Sequence, residues 1–124
     1  MKTKQEIEVD LLNFYGTEAY HRWSALFRTF VLTDGAQYIA DACGAYWLMD
    51  AIASYKQSYA GEDFVVAKLT KATASNGWLL RLEDGNDRLI ADQLIEYSNF
   101  PLDEIKLYVV KSDDLWVIML PSEY

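Results

Sequence analysis

The side chains that could carry catalysis are few and widely spaced in this 124-residue chain. His21 is the only histidine and Cys43 the only cysteine, which excludes paired-histidine catalysis, a disulfide framework and a cysteine-based zinc site. The sequence contains no glycine-rich phosphate loop, nucleophile elbow or HExxH motif. We therefore assign no catalytic, cofactor-binding or metal-binding residue, and we expect no cofactor.

Two carboxylate chemistries stay open. Nineteen acidic residues could supply the pair of carboxylates that a glycoside hydrolase needs, but no pair stands out by its spacing. The same acids could bind Ca²⁺, although the DxDxDG spacing is absent. His21 lies in YHRW, which we predict to be helical, and such a histidine is more often a surface or interface residue than a general base. The sequence thus favours a protein that is not an enzyme.

Asp50 is the single acid in GAYWLMDAIASY, residues 44–55, among apolar, aromatic and small residues. Helical spacing places it on the side of Tyr46 and Trp47. A carboxylate on a mostly buried helix must face solvent or be paired. Asp50 is therefore either a solvent-facing acid with a local partner, or part of a patch with Tyr46 and Trp47 that receives an arginine or lysine of a binding partner.

The first half of the chain predicts helices. Ile7, Leu11 and Phe14 recur at helical spacing, which predicts a helix over residues 4–14 with Gly16 as its C-cap. A second short helix is expected over residues 17–27, with Thr17 as its N-cap.

A strand and a long helix are predicted next. RTFVLT, residues 28–33, is rich in β-branched and aromatic residues, which is typical of a strand. Asp34 and Gln37 have capping-box spacing at the start of one long central helix, residues 35–59, with a bend at Gly44. Because this helix is apolar around most of its circumference, we expect it to lie across a sheet.

From residue 64 the periodicity changes to that of strands and tight turns. The fold class we predict is α+β, with the helices packed on a largely antiparallel sheet formed mainly by residues 64–120. Residues 88–97 could also be helical. LWVIML, residues 115–120, is apolar on both faces, which indicates a central or doubly covered strand. The strands are predicted at 64–72, 78–83, 88–95, 105–111 and 115–120, and the turns at 75–77, 84–86 and 112–114.

Acidic residues concentrate at the predicted turns of the second half. Residues 61–124 carry twelve acids and six bases, against seven and five in residues 1–60. In an up-and-down meander, alternate turns lie at the same end of the sheet, so three acidic turns would share one end and Asp103 and Glu104 would lie at the other. We call the shared group the acidic rim; its members are Glu62, Asp63, Glu83, Asp84, Asp87, Asp113 and Asp114.

The net charge and the length of the chain limit the kinds of partner and location that we expect. The net charge is −8 and the isoelectric point about 4.5, which argues against direct nucleic-acid binding, because phosphate neutralisation needs clustered lysine and arginine. The chain is short enough to be a single domain, 1–124. It has no signal-peptide pattern and no apolar run of about 20 residues, so we expect a cytoplasmic protein that does not enter a membrane.

Three segments carry a resemblance to a known family: FYGTEAYHRW (14–23), LTDGAQYIADACGAYWLMDAIASY (32–55) and LPSEY (120–124). With these the chain resembles a small bacterial family of unknown function, found in bacterial, plasmid and phage genomes. The resemblance covers nearly the whole chain, and its most specific parts are GAYWLMDAI and LPSEY. It implies a stand-alone bacterial domain on a mobile element, and it brings no activity or catalytic residue with it.

Three hypotheses of function follow. The first is a non-enzymatic module whose acidic rim, or whose Tyr46–Trp47–Asp50 patch, binds a basic protein; one form is a mobile-element inhibitor of a nucleic-acid-binding host protein, such as an anti-CRISPR or a DNA mimic. The alternative is a small enzyme or ligand-binding domain with a pocket of Tyr, Trp and Asp side chains at the long helix. The third is a homo-oligomer that buries its surplus aromatic residues.

Overall fold

The computed structural model describes residues 2–72 and 77–124, and over these the chain forms three α-helices and one six-stranded sheet. The predicted α+β class is confirmed. Two 3₁₀ turns, Lys56–Tyr59 and Pro121–Glu123, complete the elements. The helices are α1 (Lys4–Leu11), α2 (Asp34–Ala42) and α3 (Tyr46–Ser54), and the strands are β1 (Phe30–Leu32), β2 (Phe64–Lys71), β3 (Trp78–Glu83), β4 (Leu89–Ile95), β5 (Glu104–Ser112) and β6 (Leu115–Met119).

The sheet has the strand order β1-β6-β5-β2-β3-β4. Every neighbouring pair is antiparallel except β1 and β6, which run parallel. Strand β1 therefore joins the first half of the chain to the last strand. Residues 89–95, for which a helix was the other interpretation, form the edge strand β4. The five strands predicted in the second half are all present.

Side chains alternate between two faces of the sheet, as a period of two requires. Trp78, Leu80 and Leu82 are buried on the face that the three helices cover, which confirms the predicted half-buried strand. On the opposite side, which we call the outer face, Val117 and Met119 form a second small cluster with Val31. Strand β6 is thus buried on both faces, as its apolar pattern predicted.

The prediction of one long central helix is wrong, because α2 ends at Ala42 and Gly44 lies between it and α3. This glycine has a φ of +59°, in the left-handed region that glycine adopts without a Cβ penalty. The amide of Ala45 donates to the carbonyl of Ala40 at 2.8 Å, the six-to-one bond that closes a helix C-terminus. The start also differs: Thr33, and not Asp34, is the N-cap, and its Oγ1 accepts from the amide of Ala36 at 3.2 Å.

The predicted helix over residues 17–27 is also wrong, and α1 ends at Leu11 rather than at residue 14. His21 instead pairs with the free edge of β1: its amide donates to the carbonyl of Leu32 and its carbonyl accepts from the Leu32 amide, both at 2.8 Å. This tertiary pairing outweighs local helix propensity. The segment then covers that edge of the sheet.

The turn predicted at residues 75–77 lies mostly outside the described residues. Within 2–72 and 77–124, the helices are all too short or too polar to cross a bilayer.

Replacing Gly44 with alanine should lower the free energy of unfolding by about 1 kcal/mol, because a Cβ disfavours the left-handed backbone there. The Cβ itself would meet no atom within 4 Å, so the loss reports backbone conformation. Gly61 is the matched control, since an added Cβ also meets nothing there and no positive φ is involved. Urea denaturation of G44A and G61A measures the difference; equal stability of the two variants contradicts the explanation.

Candidate functional site

The N-terminus of α2 brings together segments that are far apart in the sequence. The carboxylate of Glu123 accepts hydrogen bonds there from the Gly35 amide (3.0 Å) and the Thr33 hydroxyl (2.6 Å). It also accepts from the Leu120 amide at 3.0 Å, which fixes its own segment. A negative group at this end of a helix is favoured by the helix dipole and by the unpaired amides.

Gly35 is required by this contact. A Cβ added at this position would lie 2.5 Å from Oε1 of Glu123 and 2.5 Å from Cδ1 of Leu120. Such distances are far inside van der Waals contact, so any larger residue would displace the carboxylate. The glycine of the TDG sequence is therefore explained by close approach, and its φ is not in the left-handed region.

Asp34 and His21 lie on the solvent side of the same helix end. Oδ1 of Asp34 is 2.7 Å from Nε2 of His21, and Oδ2 accepts from the Glu18 amide at 3.0 Å. The Asp34 amide donates to the Thr17 hydroxyl at 2.9 Å. The Glu18 amide first, and the His21 ring second, hold the pKa of Asp34 below its usual value.

The pairing of His21 and Asp34 orients the imidazole but does not complete a nucleophilic device. Side-chain exposures of 27% and 31% leave both groups partly open to solvent. A triad needs a hydroxyl or thiol hydrogen-bonded to the histidine, and in the described part of the chain the only side chain that bonds the His21 ring is Asp34. The prediction that His21 lies on a helix is wrong, because His21 pairs with the edge of β1.

Burial also makes the thiol of Cys43, the only cysteine, unreactive. Cys43 is buried, and desolvation raises its pKa to about 11. It is therefore a protonated, unreactive thiol at neutral pH. In residues 2–72 and 77–124, His, Cys, Asp and Glu side chains form no group of three that could hold a metal ion.

The three segments that carry the family resemblance meet at this helix end. Thr17 and His21 come from the first, Gly35 from the second and Glu123 from the third. The hydroxyl of Ser122 adds a bond to the carbonyl of Phe14 at 2.6 Å. Sequence analysis missed the role of Glu123, since nothing in LPSEY itself indicates a cap on a helix that begins 89 residues earlier.

The three side chains of the predicted patch, Tyr46, Trp47 and Asp50, do not all lie together in the structure. Oδ1 of Asp50 accepts from the indole of Trp23 at 2.8 Å, so Asp50 is a solvent-facing acid with a local partner. Tyr46 and Asp50 line an open cavity of about 400 Å³ with Trp23 and Arg22. Trp47 is not in its lining and packs against the core.

Tyr46 has a local partner as well. Its hydroxyl donates to Asp41 at 2.7 Å. Partial burial, helped by this hydrogen bond, raises the pKa of Tyr46 to about 12. The phenol therefore stays neutral at physiological pH and is not available as a base.

Strand register locates the acidic rim. Phe64 pairs with Val110, Val66 with Glu83 and Ser112 with Leu115. The start of β2, the β3–β4 turn and the β5–β6 turn therefore lie at one end of the sheet. Glu104 pairs with Thr70, at the opposite end.

Three of the seven rim acids are already neutralised. The guanidinium of Arg88 lies 2.7 Å from Glu62 and 3.1 Å from Asp84. The Asn86 amide first, and Arg88 second, hold the pKa of Asp84 below its usual value. Glu83 is buried on the outer face, 3.0 Å from Nζ of Lys68 and 3.7 Å from Nε of Arg81.

The other four rim acids are exposed and form no ion pair within the described residues. Two of them also have a local structural reason to be aspartate. Asp87 (φ 66°) and Asp113 (φ 54°) adopt the left-handed backbone, which aspartate tolerates better than most residues. We call the set Asp63, Asp87, Asp113 and Asp114 the unpaired rim acids.

Comparison with known protein families gives one result. Residues 5–124 match a family of unknown function, DUF6876, and the chain belongs to that family. The searches of curated proteins and of solved structures found no match. The predicted resemblance to a family of unknown function is thereby confirmed.

Asp34→Asn should make the protein less stable at neutral pH, by an amount that shrinks in acid. Since the pKa of Asp34 is lowered in the folded protein, its ionised form contributes stability above about pH 4, and this contribution is lost as the pH falls through the folded value. Urea midpoints of wild type and D34N, measured at pH 7 and from pH 5 down to pH 2, test this.

The matched control is D92N, because Asp92 is an exposed aspartate whose carboxylate makes no hydrogen bond or ion pair in the described part of the chain. A difference between wild type and D34N that stays constant down to pH 2 contradicts the role given to the Asp34 carboxylate.

Proposed function

We propose that this protein is a non-enzymatic interaction module whose acidic rim binds a basic protein surface. The observation that carries the proposal is the grouping of the four unpaired rim acids on turns at one end of a single sheet. Arg88 offsets Glu62 and Asp84, whereas these four form no ion pair in the part of the chain that the structure describes. Like charges held together on short turns give a field that steers a basic partner into contact.

The class of partner follows from the same charges. A protein surface that binds nucleic acid carries rows of lysine and arginine spaced to neutralise phosphates. A group of carboxylates can occupy such a surface in place of the phosphates. We therefore propose a nucleic-acid-binding protein as the target, which corresponds to an inhibitor of the DNA-mimic or anti-CRISPR type.

The alternative function, a small enzyme or ligand-binding domain with a pocket at α3, has less support than the interaction module. Asp50 would have to provide its charge to a ligand, but its Oδ1 already accepts from Trp23. Arg22 lines the same open cavity and contributes a positive charge of its own. These contacts point to a local polar cluster and not to an enclosed binding pocket.

The proposal is tested by neutralising the rim without changing its turns. Replacing Asp63, Asp87, Asp113 and Asp114 with asparagine removes four charges, and asparagine still tolerates the left-handed backbone at two of these positions. Immobilised wild type should retain basic nucleic-acid-binding proteins from a bacterial lysate at about 50 mM salt and release them near 500 mM, because the attraction is screened. The variant with four asparagines should lose this retention.

The control variant carries E8Q, E18Q, D41N and E104Q, which removes the same net charge at exposed positions away from the rim. The side-chain carbonyl that D41N introduces can still accept the hydrogen bond from Tyr46. This variant should retain the same proteins as wild type. If both variants lose retention equally, total charge and not the rim is responsible, and the proposal fails.

A further inference from the structure

The two edges of the sheet differ in whether another segment of the chain pairs with them. At one edge, β1 is only three residues long, and the segment around His21 pairs with it through two backbone hydrogen bonds of 2.8 Å. At the other edge, β4 is seven residues long. Within the part of the chain that the structure describes, no strand pairs with the outer edge of β4.

Proteins usually protect a free edge with lysine, proline or a short strand. Strand β4 has none of these: its sequence is LIADQLI. A register shift opposite Leu82 and Glu83 places a bulge at Ile90, but Ala91–Ile95 beyond it pair regularly with β3. An unpaired strand edge of regular geometry can accept a further strand.

The side chains along this edge define what would bind. Leu89 and Leu94 in β4, and Tyr97 just beyond it, have exposures of 43%, 60% and 76%. Asp92 and Glu96 are exposed acids that form no ion pair within the described residues, although Asp92 lies directly across from Arg81 of β3 in the strand register. The edge is therefore both apolar and negatively charged.

Strand β4 is also continuous with the acidic rim. Asp84 and Asp87 lie in the turn that leads into it, and the Asp84 amide donates to the Arg88 carbonyl at 3.1 Å at the start of the strand. A partner attracted by the rim therefore arrives beside an unfilled row of backbone donors and acceptors.

We propose that β4 is a strand-addition site for an extended, lysine- or arginine-rich segment of the partner protein. This rests on the proposed function, since it is the way in which the basic partner is held. The backbone of the segment bonds the edge of β4, its charges pair with Asp92 and Glu96, and the aliphatic stems of its basic side chains cover Leu89 and Leu94.

The test uses a defined probe, the peptide acetyl-Lys-Val-Lys-Val-Lys-Val-Lys-amide, and two versions N-methylated on alternate residues. Methylation keeps the charge but removes the backbone donors that face β4 in one of the two alternations. The unmodified peptide should slow amide hydrogen exchange, measured by NMR, at the alternate residues of 91–95 whose amides point away from β3. One of the two methylated peptides should give no protection.

Substitution of the protein provides a second readout. Asp92→Lys should weaken binding of the unmodified peptide by about fivefold, because an opposite-charge cross-strand pair becomes a like-charge pair. Glu8→Lys, an equal charge change at an exposed position of α1, should leave binding unchanged.

Four outcomes would overturn the strand-addition site. None of them decides the proposal about the acidic rim, which the lysate experiment tests separately. Equal binding of all three peptides would mean that charge alone attracts them. Protection confined to the rim turns, or no saturable binding at millimolar peptide, also removes the strand-addition site. Light scattering that shows a dimer broken by D92K would assign the edge to a second copy of this chain instead.

Discussion

The contact on which the rest of the structure depends is the carboxylate of Glu123 at the N-terminus of α2. It accepts from Gly35, Thr33 and Leu120 at once, so one side chain joins the last segment of the chain to the start of a helix. Thr33 directly follows β1, and Leu120 directly follows β6. The contact therefore fixes the parallel pairing of these strands, which the amide of Thr33 reinforces by donating to Ile118 at 3.0 Å.

Polar groups are hydrogen-bonded to each other at one end of the molecule, around α2, and remain unpaired in other described parts of its surface. Around α2, polar groups of three segments bond each other, and His21 covers the β1 edge. In the described residues, the four unpaired rim acids have no counter-ion, and the outer edge of β4 has no strand partner. Burying polar groups with partners stabilises a fold, whereas exposed and unpaired charges remain available for binding. The difference is the reason to look for function at the rim and at β4.

The strands could be predicted from the sequence because their periodicity is local. The expected up-and-down meander is wrong beyond β4, since β5 pairs with β2 and not with β4. The acidic turns still share one end of the sheet because β2 to β6 all pair antiparallel with their neighbours. What failed depended on contacts between distant residues. The segment at Thr17 has helix signals but pairs with β1, and the long helix ends because Gly44 takes a left-handed conformation that a periodic pattern does not reveal. Neutralisation of Glu62 and Asp84 by Arg88 required the folded positions of two turns.

The central claim is that the Glu123 carboxylate holds the start of α2, and amide hydrogen exchange of Gly35 and Leu120 tests it most directly. In wild type both amides donate to Glu123, so both should exchange slowly. In Glu123→Ala they should exchange much faster, while Glu104→Ala, an exposed acid at another position, leaves them unchanged. Equal protection of Gly35 in wild type and in Glu123→Ala would contradict the account.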